Sequence, residues 1–374
     1  MLVGIDASRA VADRPTGTET YSRRLIQALL DLESDHRFRL YFRSAPPPGS
    51  FQNAEHRSIP FPRLWTHLRL SREMVVAPPD LLFVPSHVVP LIHPAHTIVT
   101  IHDLGYLHFP SAHPGPQRTY LDLSTRWSAR AASHVLADSG ATKADLIEHY
   151  GTSPDKISVA YPGIDESIRP VKDEEQIRSV LREYDISGDY FLFLGTLQPR
   201  KNLRRLVDAF GKVVANASGR ALKLVLAGKR GWLCQNLGEY IAGLGLTDRV
   251  LLPGYVAEED KASLLSGALG FLFPSLYEGF GLPVLEAQAC GCPVVTSNTS
   301  SLPEVAGEAA LLVDPKDVDA IAGAAARLTQ DPRLRDSLRR RGLANVDRFS
   351  WRMCARSVLA VIEAELCQGQ GTVV

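Results

Sequence analysis

Apolar residues in this chain fall into two patterns that alternate along its length. Short unbroken apolar runs predict strands buried on both faces, and stretches with apolar positions every third or fourth residue predict amphipathic helices. Leu2–Ala7 reads as the first strand, with Asp6 near its end. Ser8–Thr18 reads as a loop, and Thr20–Leu32 as a helix with Tyr21, Leu25, Leu29 and Leu32 on one face. Arg37–Phe42 is a strand, and Pro46-Pro47-Pro48-Gly49 opens a loop. The spacing predicts a helix over Arg63–Val75, strands over Asp80–Pro85 and Thr97–Ile101, and a helix over Gln117–Ala132. His134–Ala137 is a strand, Ala141–Tyr150 a helix that Asp138 or Ser139 can cap, and Lys156–Tyr161 the last strand of the first half. Strand and helix in alternation mark a doubly wound α/β sheet.

The pattern restarts after Pro162–Pro170, which reads as a hinge, and a charged helix over Glu174–Tyr184. Strands follow at Tyr190–Gly195, Leu222–Gly228, Arg249–Leu252, Gly270–Phe273, Pro293–Thr296 and Ala309–Val313. Helices are predicted over Leu203–Val214, Asp317–Leu328, Pro332–Arg348 and Trp351–Leu366. With 374 residues the chain is too long for one ordinary core, so two domains are expected, 1–168 and 169–349, followed by a C-terminal helix at 350–374.

One stretch carries the most specific chemistry. Between the strand at Gly270–Phe273 and a helix started by Pro283 lies the loop Glu278-Gly279-Phe280-Gly281, and Gly291 is placed to end the helix. Glycines let backbone approach a ligand, and free N–H groups at a helix start favour an anion or sugar hydroxyls. Glu278 and Glu286, eight residues apart, are acceptors suited to a polyhydroxylated ligand. Upstream, Arg200 and Lys201 precede Asn202, a good N-cap for the next helix, and their cations can reach an anion held there. His102-Asp103 closes the Thr97–Ile101 strand, at the edge where open sheets bind ligands.

This constellation resembles the E-x7-E signature of retaining glycosyltransferases of the GT-B fold, the family numbered four. The resemblance runs over most of the chain. It implies an α/β GT-B architecture, with two Rossmann-like doubly wound domains facing across a cleft and the C-terminal helix crossing back to the first. It implies that Glu278 faces the donor sugar and that Glu286 holds the nucleotide ribose. By the same likeness, backbone groups of Gly279, Phe280, Gly281 and Leu282 bind sugar and phosphates, and the loop Gly254-Tyr255-Val256 holds the nucleobase. Arg200 and Lys201 take the place of the diphosphate-binding pair. His102, with Asp103 beside it, matches a histidine that contacts the donor sugar, and Gly17 matches a glycine turn near the phosphates. The run Leu136-Ala137-Asp138-Ser139-Gly140 resembles bacterial mannosyl- and rhamnosyltransferases of surface polysaccharide synthesis, which makes GDP-mannose the first donor expected and a UDP-hexose the next. The acceptor implied is a hydroxyl of a glycan or a lipid-linked glycan.

Composition narrows the alternatives. Forty-one basic and 41 acidic residues leave no excess charge for nucleic acid. Five cysteines without framework spacing suggest reduced thiols and a cytoplasmic protein. The N-terminus does not read as a signal peptide, and no apolar run approaches the ~20 residues that span a bilayer. Contact with the inner face of a membrane is the closest association expected, through Trp65 among Arg63, Arg69 and Arg72. There is no P-loop, and Gly279-Phe280-Gly281 lacks the third glycine of a dinucleotide fingerprint. No histidine or acid cluster is read at ligating spacing on one helix, so no metal and no cofactor are expected. A sugar-nucleotide epimerase and a non-catalytic carbohydrate-binding scaffold are the alternatives to a transferase.

Overall fold

The computed structural model describes every residue except 13–16, 62–63, 111–114, 217–220, 230, 232–235 and 371–374. The chain divides into two compact units: Met1–Gly163 with Phe349–Val374, and Ile164–Arg348.

The first unit is built on seven strands: β1 (Leu2–Asp6), β2 (Arg37–Phe42), β3 (Glu55–Ser58), β4 (Leu81–Val84), β5 (Thr97–Ile101), β6 (His134–Ala137) and β7 (Ile157–Val159). They form one sheet in the order β3-β2-β1-β4-β5-β6-β7, and each neighbouring pair is parallel. The order reverses between β1 and β4. β4 and β5 are buried throughout, as the unbroken apolar run of β4 and the β-branched residues of β5 favour, whereas all of β3 is exposed. The terminal helix, Trp351–Gln370, belongs to this unit. Its Cys354, Ala355, Val358, Ile362 and Leu366 enter one core with Val3, Ile5, Leu25 and Leu29. At its start the backbones nearly touch: a Cβ on Gly163 would lie 2.0 Å from the Trp351 nitrogen, so only glycine fits there.

The second unit repeats the plan with six strands: β8 (Tyr190–Leu194), β9 (Lys223–Ala227), β10 (Val250–Gly254), β11 (Gly270–Phe273), β12 (Val294–Ser297) and β13 (Ala310–Val313). The order is β10-β9-β8-β11-β12-β13, again parallel. Its switch point lies between β8 and β11. In such sheets the loops leaving the two central strands diverge and open a crevice at their carboxyl ends. The central stretch is the β11–helix–β12 unit expected. Pro283 sits in the first turn of Leu282–Ala289, and Gly291 follows it with φ 68°.

Two local expectations fail. The helix expected over Arg63–Val75 is a π-helical turn, Trp65–Leu70, running into an α-helix, Ser71–Val76, and Arg63 lies outside the described residues. Trp65 is 5% exposed and donates its indole N–H to the Ile59 carbonyl at 2.8 Å. It packs inward and is not an interfacial residue. Among the described residues no helix is long and apolar enough to cross a membrane.

Candidate functional site

The two loops at the switch point of the second unit carry opposite charges and meet. After β8 the chain makes a short 3-10 turn, Pro199–Lys201; after β11 it runs through Pro274–Gly281. Arg200 Nη1 donates to Glu278 Oε2 at 2.9 Å, and Lys201 Nζ to Oε1 at 2.6 Å. Lys201 and Glu278 are each 7% exposed. Burial pushes the Glu278 carboxyl up, but the adjacent Arg200 and Lys201 outweigh it and hold the group at about 2. The Lys201 ammonium also lies 4.7 Å from the centre of the Phe273 ring.

Hydroxyls fix the loop that presents Glu278. Ser301 Oγ donates to the Glu278 carbonyl at 2.9 Å and to that of Phe280, and the Glu278 N–H donates to Ser300 Oγ at 3.0 Å. Ser275 Oγ reaches the carbonyls of Arg200 and Tyr277, and Ser297 Oγ that of Ser275. The sequence shows 296–302 only as a polar loop. The legible signal is three serines within a few residues of a buried strand end, where hydroxyls are costly unless bonded. Asn202 departs from its expected capping role. It takes a left-handed φ of 62°, and its amide nitrogen ties the Pro274 and Pro315 carbonyls together.

The remaining residues expected to meet the donor lie in the same unit. Gly281 precedes the helix Leu282–Ala289 at φ 118°, a conformation that side chains rarely adopt. Glu286, in that helix, is 3.8 Å from Lys261 Nζ, which itself pairs with Glu258 at 2.8 Å. Burial raises the Glu286 carboxyl and Lys261 opposes the rise. Gly254 ends β10 at φ 86°, and its carbonyl accepts from Gly228. Tyr255 is 54% exposed beneath Lys229, and Val256 is buried. Gly279 and Phe280 lie between the two glutamates, as the motif dictates.

In the first unit His102 follows β5, and Nδ1 lies 2.6 Å from Oδ2 of Asp138, which follows β6. Burial lowers the imidazole's pKa, but the charge and hydrogen bond of Asp138 raise it further, so the net shift is upward. His87 sits beside it, 5.1 Å between ring centres, and burial followed by the His102 charge presses it down to about 4. Asp138 is the residue that sequence reasoning missed. Capping seemed to account for it, but Ser139 alone takes that task, accepting from the Thr142 N–H. Asp103 accepts from the Gly105 N–H at 2.8 Å and opens the turn Gly105–His108. Gly17 is the first residue of the helix Gly17–Leu30, and residues 13–16 before it are outside the description. One helix does carry acid and imidazole at ligating spacing, contrary to expectation: Asp145 and His149, on Gly140–Tyr150.

Comparison with known proteins follows this geometry. Residues 174–344 match the family described as glycosyl transferases group 1, and residues 15–168 match glycosyltransferase family 4. The O-antigen chain mannosyltransferase B of Escherichia coli is 35% identical over 263 residues, covering 70% of this chain and 68% of that protein. The D-inositol 3-phosphate glycosyltransferase of Acidothermus cellulolyticus is 31% identical over 288 residues, 75% of this chain and 63% of that one. The chain thus spans about two thirds of the length of these relatives. Among solved structures, Anabaena HepE in complex with UDP and glucose superposes with a TM-score of 0.74 at 17% identity, over 97% of this chain and 99% of that one.

Proposed function

This chain belongs to the group 1, family 4 glycosyltransferases and is a hexosyltransferase of the GT-B fold; from that premise we propose that it transfers mannose from GDP-mannose to a hydroxyl of a glycan or lipid-linked glycan, with retention of configuration. The observation that carries this reading is the pairing of Glu278 with Arg200 and Lys201 at the switch point of the second sheet. A nucleotide-diphosphate donor brings the anion that these two cations suit, at the edge where parallel sheets hold nucleotides. When the diphosphate takes Arg200 and Lys201, the Glu278 carboxylate is released toward the sugar hydroxyls beside the helix start. The mannose-specific name of the E. coli relative supports the choice of sugar.

In this reading the bond from the anomeric carbon to the β-phosphate oxygen breaks as positive charge develops on the sugar. Arg200, Lys201 and the helix N–H groups stabilise the departing nucleoside diphosphate, the part that fixed cations perform in phosphate departure. The acceptor hydroxyl forms the new bond on the same face, and its proton passes to the departing phosphate oxygen. Glu286 holds the ribose, and the Gly254–Val256 loop holds the base. His102, oriented by Asp138, meets a hydroxyl of the donor sugar. With Arg200 and Lys201 offered to the leaving group, we infer that no metal ion is needed.

The test incubates the protein with GDP-mannose, UDP-glucose or UDP-galactose and a mannose-terminated acceptor. We expect release of GDP with an α-linked product as the first species seen by NMR. A β-anomeric first product rules out retention, and turnover with a UDP-hexose but not GDP-mannose rules out the donor.

A further inference from the structure

Three side chains of the first unit outside the His102–Asp138 pair come together. His108 ends the short helix Gly105–His108, while Asp145 and His149 stand one turn apart on Gly140–Tyr150. His108 Nε2 is 3.0 Å from Asp145 Oδ2, and the His108 and His149 rings are 5.6 Å apart at 77°. One ligating atom from each residue lies within 4.8 Å of the other two. The segments concerned are the same two that carry the earlier pair. His108 is six residues beyond His102, and Asp145 is seven beyond Asp138.

Two imidazoles and a carboxylate are the donor set of a borderline divalent cation, not of magnesium or calcium, which favour oxygen. Zinc bonds of 2.0–2.2 Å in a tetrahedron set ligand atoms about 3.4 Å apart. His108 and Asp145 already approach that spacing, and His149 has to close by about 1.4 Å at most. The anchor and the movable parts are suitably divided: Asp145 is buried, and both histidines are exposed on the surface. A plain surface reading gives His108 an ion pair and His149 a favourable place near a helix C-terminus. It leaves unexplained why the second imidazole faces the first.

We propose that His108, Asp145 and His149 bind one divalent transition-metal cation, zinc in the first instance, with water completing a tetrahedron. The cation staples the segment after β5 to the helix after β6. It thereby ties together the segments that follow His102 and Asp138 while touching neither residue, and its role is structural.

The test uses the full chain without a histidine tag, stripped with EDTA and titrated with cobalt chloride, then zinc chloride. We expect a visible spectrum of four-coordinate cobalt that saturates at one cation per chain. Zinc should bleach it and raise the Tm, and magnesium should do neither. His108→Ala and His149→Ala should each weaken binding by at least about 10–100-fold, the loss that even indirect disturbance of a metal site causes. His56→Ala, an exposed histidine elsewhere, should change nothing. Circular dichroism confirms that each variant is folded. Absence of the four-coordinate spectrum in the wild type, or cobalt affinity unchanged in both folded variants, overturns the proposal.

Discussion

Glu278 is where the electrostatics of the second unit concentrate. Two cations take its two oxygens, and its carboxyl is held at about 2 against burial that would raise it. A carboxyl depressed from 4.5 contributes its stability in full above that pH and loses it as the pH falls through 2. The shift corresponds to about 3 kcal/mol. Glu278→Gln removes the titration and leaves the cations only a neutral acceptor. The stability gap between wild type and variant, measured by urea unfolding, should therefore narrow by about 3 kcal/mol between about pH 5 and pH 2. A gap that stays constant across that window refutes the assignment. For activity, Glu278→Ala in its folded fraction should lower kcat by about 10²–10³, the scale for losing one oriented electrostatic partner of a transition state. Transfer at the wild-type rate would remove Glu278 from the mechanism. The motif made Glu278, Arg200 and Lys201 legible one by one. Their mutual pairing was not, because 77 and 78 residues separate the partners. Only the strand order brings the loops after β8 and β11 together. Asp138 was hidden for another reason: a neighbouring serine competes for the same capping explanation, and sequence alone does not say which of the two turns inward.

At the scale of elements, the segment after β12 acts as a brace for the loop after β11. Ser301 is fully buried and satisfies two carbonyls, those of Glu278 and Phe280, with one hydroxyl. Ser301→Ala removes that shared donor, and losing an intramolecular hydrogen bond costs about 0.5–1.5 kcal/mol. The loop should then loosen around Glu278, and kcat should fall by about 10²-fold, as for a small misplacement of a reacting group. Urea unfolding and steady-state kinetics check the two effects together. A destabilised variant with unchanged kcat would show that the brace supports the fold and not the site. Periodicity read the buried strands well, since β5, β6 and β11 lie at the expected residues and are buried over almost their whole length. It missed β3, whose Glu55-His56-Arg57-Ser58 has no apolar residue to signal a strand, is exposed throughout and pairs in parallel with β2. It also misread Trp65, because an aromatic among arginines looks interfacial until Ile59 supplies a buried carbonyl for the indole.

The whole molecule adds two properties that single elements lack. One is an apolar surface on the first unit, where Leu91, Ile92, Leu123 and Trp127 are exposed, with Arg72 and Arg126 also in water. The Ile92 N–H donates to Ser71 Oγ, and His93 lies 6.4 Å from the Trp127 ring, so these segments share one face. If a lipid-linked acceptor brings the protein to an anionic bilayer, this face is the part that meets it. Flotation with anionic vesicles should then be strong at low salt, fall as salt screens the arginines, and weaken in Ile92→Glu. Trp65→Phe should float normally, and wild type that does not float at low salt would refute contact through this face. The other property is the path of the chain, which enters the second unit at Ile164, leaves it at Arg348 and never returns. Arg200, Lys201, Gly254, Glu278 and Glu286 all fall between those points, whereas His102 and Asp138 do not. A fragment of residues 164–348 should therefore fold and bind GDP-mannose, with a Tm that rises as donor is added; ~2.7 kcal/mol of stabilisation is expected at 100 times the Kd. Under the proposed mechanism it should transfer nothing, since it lacks His102 and Asp138. The complementary fragment, 1–163, should not fold alone, because it lacks Cys354, Ala355, Val358, Ile362 and Leu366 of its own core. A folded 164–348 fragment that GDP-mannose and GDP leave unstabilised, beside a full chain that they do stabilise, would show that donor affinity does not reside in the Glu278 loops.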